Sequence, residues 1–419
     1  MSARRIIPLQ PAAAEPIATR AHPTGQTASG LEHPPPLTLY VHYPWCVRKC
    51  PYCDFNSHAL RSAGSAPDLA GGLEATYIEA LIADLESALP QVWGRRIHSV
   101  FIGGGTPSLM SAAALDRLLT AVRTLLPLDP LAEITLEANP GTAEAERFRG
   151  FRAAGVNRLS LGIQSFDDRH LARLGRIHDG REARAAIDLA LASFERVNLD
   201  LMYALPQQSR EEALHDLELA LASGATHLSC YHLTIEPNTP FHAAPPPLPD
   251  DDTSADMQEA IEARLAEAGF THYETSAFAR PGQACLHNLN YWHFGDYLGI
   301  GAGAHGKLSS HEGIFREDRH RHPNRYLEAA ATRAFVRERR RIDPADLPFE
   351  FMMNALRLSD GVPASLFTQR TGQPLATIAS ELAGAQRRGL LASGDGRLRP
   401  TDRGRRFLND LLGIFLRER

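Results

Sequence analysis

The chain has 419 residues, and a hydrophobic share of 43% is enough to build one large domain together with a smaller one. Its formal net charge of −5 argues against nucleic acid as a partner, because such binding depends on an excess of Lys and Arg. No stretch approaches the roughly 20 consecutive apolar residues of a membrane helix. We therefore expect a cytoplasmic protein that is not an integral membrane protein.

The predicted elements begin after a proline-rich leader. Residues 1–36 are rich in Pro and Ala and show no periodic apolar pattern, which is typical of a disordered segment. From Leu37 onward, short apolar runs alternate with longer helical patterns, as in βα units around a parallel sheet. The predicted strands cover residues 37–43, 99–103, 133–138, 158–164, 197–203 and 227–235. Six successive units predict an α/β fold, a complete or partial (β/α) barrel with its functional groups at the carboxyl ends of the strands.

The pattern changes towards the carboxyl terminus. Three prolines at 245–247 interrupt the repeat, and a clearer break follows at 339–348. Beyond it, helical segments, a Gly-Asp-Gly turn at 394–396 and a terminal helix predict a small winged-helix-like domain. The chain thus divides into a leader (1–36), a barrel domain (37–340) and a C-terminal domain (341–419). The acidic net charge argues against DNA binding by this domain. Since fold alone does not dictate function, we expect it to cover the barrel mouth or to recruit a partner.

Three cysteines follow the first predicted strand. Cys46, Cys50 and Cys53 form a CxxxCxxC motif on one loop. Cysteine thiolates are the usual ligands of [4Fe–4S] clusters, and three of them leave one of the four irons open. The alternative is a zinc site that adds His42 or His58, although such sites usually draw their ligands from two separated knuckles. A cluster on this loop also suits a reducing compartment.

The loop over residues 41–55 closely resembles the cluster loop of the HemN/HemW branch of the radical-SAM superfamily. This resemblance implies that the open iron chelates S-adenosylmethionine (SAM), which an electron from the cluster cleaves to a 5′-deoxyadenosyl radical. It also implies that the (β/α) barrel is of the radical-SAM type. Matching motifs continue on the following strands and imply SAM-binding roles for Tyr40, Tyr52, Gly104, Gly105, Thr106, Glu137, Gln164, Arg176 and Asp200.

The chemistry of these residues suits SAM, a zwitterion that carries a ribose. Glu137 and Asp200 can accept hydrogen bonds from hydroxyls or from the ammonium, while Arg176 can pair with the carboxylate. The alternative is that each of the two acidic residues only ends a strand or caps a helix.

Two features distinguish the subfamilies within this branch. Phe55 stands where the oxygen-independent coproporphyrinogen III oxidases (HemN) carry a fourth cysteine. Residues 287–292 resemble the HNxxYW motif of the HemW heme chaperones, which those oxidases lack. An imidazole can ligate heme iron, and aromatic rings offer flat apolar faces to a porphyrin, although such a stretch can also be a packed loop. The resemblance implies heme-binding roles for His287, Asn288, Tyr291 and Trp292.

These observations predict a heme chaperone that carries a [4Fe–4S] cluster and SAM and passes heme to an acceptor protein, with a membrane respiratory protein as one candidate. Two alternatives stay open: oxidative decarboxylation of coproporphyrinogen III, and radical-SAM chemistry on another substrate. Cys230 and Cys285 fit no metal spacing, and we expect both to be buried.

Overall fold

The computed structural model describes residues 31–60, 72–142 and 145–416, and residues 1–30 of the predicted leader lie outside these ranges. The strands in the described ranges are β1 (Leu37–Tyr43), β2 (Trp45–Cys46), β3 (His58–Ala59), β4 (Ile97–Gly104), β5 (Leu128–Ala138), β6 (Arg158–Gln164), β7 (Arg196–Tyr203), β8 (His227–His232), β9 (Thr271–Glu274), β10 (Ala277–Ala279), β11 (Asp296–Ile300), β12 (His305–Ser310), β13 (Gly313–Arg319), β14 (Val336–Arg341), β15 (Val362–Pro363) and β16 (Arg397–Leu398). The α-helices there are α1 (Leu73–Val92), α2 (Ala112–Leu125), α3 (Ala145–Ala154), α4 (Asp168–Arg173), α5 (Gly180–Ser193), α6 (Arg210–Ala222), α7 (Pro240–Ala243), α8 (Asp251–Glu267), α9 (Leu286–Trp292), α10 (Pro323–Ala330), α11 (Leu347–Ala355), α12 (Ser365–Thr371), α13 (Ala379–Arg387), α14 (Asp402–Arg406) and α15 (Leu408–Gly413).

One large sheet organises the barrel. Twelve of the described strands form it in the order β14-β13-β12-β11-β1-β4-β5-β6-β7-β8-β10-β9. The strands from β11 to β8 in that order run parallel, and antiparallel strands extend the sheet at both sides. In the described part of the chain β14 and β9 are the edges, so the barrel is open. The α/β partial barrel expected from the sequence is confirmed.

The parallel strands could be predicted from the sequence because their residues are buried. Every residue of β1 except Tyr40 is buried, as expected for a strand that is covered on both faces. Helix α1 covers the sheet through Tyr77, Leu81 and Leu85, which are spaced four residues apart and are fully buried. Strand β14, by contrast, is exposed at all six positions and carries no apolar pattern that predicts it.

A buried polar cluster ties α1 to the far side of the sheet. The Asp84 carboxylate pairs with the Arg319 guanidinium of β13 at 3.1 Å between Oδ1 and Nε, and both side chains are at most 1% exposed. It also accepts hydrogen bonds from the Tyr326 hydroxyl at 2.9 Å and from the backbone N–H of Gly301 at 3.1 Å. Arg319 donates in addition to Glu317 at 2.9 Å. The cluster thereby fixes the loop after β11 beside the end of β1.

The C-terminal residues pack in a second apolar core, which also includes Phe294 and Ile314 and in which the rings of Phe351 and Phe367 meet edge to face at 5.4 Å. The predicted turn at 394–396 closes a small wing, where Leu391 bridges to Pro400. Strand β16 pairs with β15 instead of with the residues before the turn. Among the described helices, none combines the length and the apolar character that crossing a bilayer requires.

Candidate functional site

The three cysteines lie on a loop that short strands close at its base. Strand β2, which ends at Cys46, pairs with β3 beyond the loop, and the backbone N–H of Leu60 donates to the Cys46 carbonyl at 2.9 Å. Inside the loop, the N–H of Cys53 donates to the carbonyl of Cys50 at 3.2 Å. All three thiols are free and partly exposed. The loop therefore presents three potential thiolate ligands to one side.

The zinc alternative adds His42 or His58 to the three thiols. Both ring nitrogens of His42 are already hydrogen-bonded, since its Nε2 donates to the Asn56 carbonyl at 2.9 Å and its Nδ1 accepts from the Tyr40 hydroxyl at 3.0 Å. The donor set fits a cluster that needs three thiolates from the protein.

A cavity of about 720 Å³ opens beside this loop at the carboxyl ends of the parallel strands. Its volume lies in the range of pockets that hold small molecules and cofactors. Its lining brings together the three cysteines and most of the predicted SAM positions, namely Tyr52, Gly104, Gly105, Thr106, Glu137, Gln164, Arg176 and Asp200. Tyr40 lies outside this lining. We call this space the first cavity.

The glycine-rich turn after β4 packs tightly against the cysteine loop. A Cβ atom at Gly105 would lie 2.5 Å from the Trp45 carbonyl oxygen, and one at Gly104 would lie 2.6 Å from the His42 ring. Gly104 also has a φ of 115°, which favours glycine. The N–H of Gly105 donates to Tyr43 and that of Gly104 to the Glu137 carboxylate. These amides hold the turn within the protein, so the glycines here serve close backbone packing.

Two carboxylates line the first cavity, Glu137 from β5 and Asp200 from β7, with β6 between these strands. Burial, and then the nearby Asp200, raise the pKa of Glu137 to about 7. Burial also raises the pKa of Asp200, although hydrogen bonds from Asn198 and Ser160 oppose this shift. Two buried acids at one cavity can accept hydrogen bonds from hydroxyls or pair with a cationic group.

Arg176 crosses from the loop after α4 to the cysteines. Its guanidinium donates to the Asn139 side chain at 2.5 Å, to the Gly162 carbonyl at 2.6 Å and to the Cys50 Sγ at 3.8 Å. Its Nε is buried and has no hydrogen-bond partner in the described part of the chain. A buried donor without a partner is costly, and a ligand carboxylate would satisfy it. Nearby, Gln164 adopts a left-handed φ of 70° at the end of β6.

A second cavity of about 900 Å³ adjoins the first. Six residues line both cavities: Cys53, Asp54, Phe55, Ser57, Gly104 and Glu137. Tyr40, Tyr291 and Trp292 line the second cavity, whereas Asn288 lines the first. Phe55, the residue that replaces a fourth cysteine, is 62% exposed at the boundary between them.

His287 lies behind the wall of the second cavity. Its ring is 1% exposed, with Nδ1 2.9 Å from the Ser99 hydroxyl and Nε2 2.8 Å from the Tyr291 hydroxyl. Burial lowers the pKa of this imidazole to about 3, so the ring is neutral. Both nitrogens are engaged, and in this conformation the ring orients Tyr291 and offers no free nitrogen to an iron.

The remaining cysteines are buried, as predicted. Cys230 is 7% exposed and Cys285 is not exposed at all. The Cys285 thiol donates to Glu133 at 3.4 Å, and burial raises its pKa to about 12. A neutral, buried thiol of this kind is structural.

Several polar residues of the first cavity were not predicted from the sequence. Asn198 donates to Asp200 at 2.8 Å and lies 2.6 Å from the His227 ring, and Arg158 lines the same cavity. Asn198 precedes Asp200 by two positions on β7 and therefore shares its face, which is a signal the sequence does contain. Arg158 and His227 are the first residues of their strands. Their residue types and positions do not predict that they line the cavity.

Comparison with known proteins identifies the class of this site. A model of the radical SAM superfamily matches residues 40–220, and a model of the HemN C-terminal domain matches residues 342–407. The solved coproporphyrinogen III oxidase (HemN) from Escherichia coli shares the fold, with a TM-score of 0.76 and 22% identity over 93% of this chain and 92% of that one. The protein is a radical-SAM protein.

Curated relatives define the family within that class. The heme chaperone HemW of Escherichia coli is 49% identical over 92% of this chain and 99% of its own length. HemW of Haemophilus influenzae is 47% identical over the same shares of the two chains. The chain belongs to the HemW family, which confirms the resemblance seen in its motifs.

Proposed function

We propose that this chain binds heme and transfers it to an acceptor protein, as the names of its HemW relatives indicate for them. The observation that carries the proposal is the pair of adjoining cavities that share the cysteine loop. The first cavity suits SAM, and the second has the volume and the aromatic wall that a porphyrin needs. The cytoplasm is the proposed location, since thiolate clusters persist in reducing compartments.

The cysteine loop would hold the cluster. Cys46, Cys50 and Cys53 supply three thiolates, and in the described part of the first cavity no further cysteine lines the space. A cluster bound there would supply an open iron site and, when reduced, an electron. The protein's own contribution is position, because β2 and β3 fix the base of the loop and Arg176 donates to Cys50.

SAM would lie between the loop and the strand ends. The unpartnered Nε of Arg176 suits its carboxylate, and Glu137 and Asp200 suit its hydroxyl or amino groups. Tyr52 closes one side, where its ring packs near Phe241 at 6.4 Å between centroids. An adenine would find an apolar surface there.

The second cavity would hold the heme. Tyr291 and Trp292 line it, with the Arg357 guanidinium 4.4 Å from the centre of the Trp292 ring, and the buried indole Nε1 of Trp292 has no hydrogen-bond partner in the described chain. Charged groups at the same cavity, among them Arg321 and Lys49, suit the two propionates. Phe55 contacts both spaces, so heme and SAM would lie next to each other.

Heme transfer is the property that tests this function. Heme-loaded protein with reconstituted cluster should pass heme to an apo heme-protein at a rate that rises with acceptor concentration. Passive release would instead give a rate that is independent of the acceptor. The same preparation should give no protoporphyrinogen from coproporphyrinogen III with SAM and a reductant. Robust turnover would support the oxidase alternative and contradict a chaperone.

Titration of Glu137 should make the affinity for SAM depend on pH. Because its pKa is raised to about 7, the carboxyl is mostly protonated near pH 6 and mostly ionised near pH 8. The ionised form accepts stronger hydrogen bonds, so affinity gained through Glu137 increases with pH. We expect the ratio of wild-type to Glu137→Gln affinity to rise by up to about tenfold over that interval, measured by calorimetry. This ratio cancels the titration of SAM itself, and a ratio that is constant with pH would contradict a contact with Glu137.

A further inference from the structure

We propose that His305 is the protein ligand of the heme iron in the second cavity. The inference rests on the proposed function and names the group that receives the iron. His305 begins β12, lines the second cavity and has a side chain that is 55% exposed. It therefore differs from the buried His287 in being open to an incoming ligand.

The ring of His305 is held in the orientation that metal-binding histidines use. Strands β12 and β13 pair His305 opposite Asp318, and Nδ1 lies 2.7 Å from the Asp318 carboxylate. Because this contact occupies Nδ1, Nε2 is the atom that would bind the iron. A carboxylate on the far nitrogen fixes the tautomer and makes the imidazole a stronger ligand. Asp318 is itself fixed by Arg337, at 2.7 Å.

Other histidines of the second cavity are less suited to ligation. Both nitrogens of His42 are engaged, by Tyr40 and by Asn56. The Nε2 of His58 is buried, and no carboxylate contacts its ring in the described chain. His305 alone among these three combines exposure with a carboxylate on its second nitrogen.

The surroundings of His305 match the rest of a heme. Tyr291 and Trp292 provide the aromatic surface of the same cavity, while Arg321 is exposed there and carries charge opposite to that of a propionate. A flat dianionic porphyrin with an iron at its centre fits a space that has an apolar wall, a cationic edge and one exposed imidazole.

The test is an anaerobic heme titration of the full chain, with absorption, resonance Raman and EPR spectra of the bound heme. His305→Ala should lose the spectroscopic signature of histidine ligation, and added imidazole should restore it. Asp318→Asn should keep the signature but weaken heme binding by about 10- to 100-fold. His311→Ala, at a side chain that is 80% exposed on the next turn, is the matched control and should behave as wild type.

The outcomes separate this assignment from the proposed function. Histidine ligation that persists in His305→Ala and disappears in His287→Ala or His58→Ala would overturn the assignment while heme binding stands. A wild-type protein that shows no saturable heme binding would contradict the proposed function itself.

Discussion

Replacing any one of Cys46, Cys50 and Cys53 by alanine should abolish the iron–sulfur cluster and, with it, SAM binding. The loop offers three thiolates, and the cluster needs all of them. A cubane held by only two would lack the ligands that stabilise it. After anaerobic reconstitution, the measured iron and sulfide contents should be about four of each per chain in the wild type. In each variant they should fall to a small residual amount. Calorimetry with SAM should show the parallel loss.

The matched control is Cys230→Ala, which removes a buried thiol that lies outside the loop. It should keep its iron and its affinity for SAM. A Cys46→Ala protein that retains four irons would refute the assignment of the loop. Stoichiometric zinc in place of iron and sulfide would refute it as well.

Asp84→Ala should cause the largest loss of stability among single changes outside the cysteine loop. The substitution leaves the Arg319 guanidinium buried with only Glu317, and it removes the acceptor for Tyr326 and for the Gly301 N–H. Breaking a buried pair in this way costs about 3 to 5 kcal/mol, and the remaining Glu317 contact favours the lower value. Equilibrium unfolding in urea measures this free energy.

Glu86→Ala on the same helix is the control. Glu86 pairs with Arg333 at 2.7 Å, but both side chains are at least 36% exposed. An exposed pair contributes about 0 to 1 kcal/mol, so unfolding should change little. Equal effects of the two substitutions would contradict the role given to the buried cluster.

The parallel half of the fold was predictable because its signals are local. Strands β1 and β6 coincide with the predicted ranges, since each is a short segment in which apolar residues recur at every second position. The CxxxCxxC motif is local as well, and its chemistry follows from residue type. Glu137 and Asp200 come from different strands, and they meet because parallel strands end at one side of the sheet.

The antiparallel extension was not predictable in the same way. Strand β14 is exposed throughout, and the pairing of His305 with Asp318 depends on the register between β12 and β13. The orientation of His287 is also invisible in the sequence, because the HNxxYW pattern does not say which side of α9 faces the core. Contacts between segments that are distant in the sequence determine the strand register and the orientation of His287.

Heme binding by the reconstituted wild-type chain decides between a heme chaperone and an oxidase. An anaerobic titration followed by absorption spectroscopy should saturate at one heme per chain, with the cluster intact and SAM present. We expect a single saturable site whose spectrum shows histidine ligation. No saturable binding, together with turnover of coproporphyrinogen III, would contradict a heme chaperone and favour an oxidase.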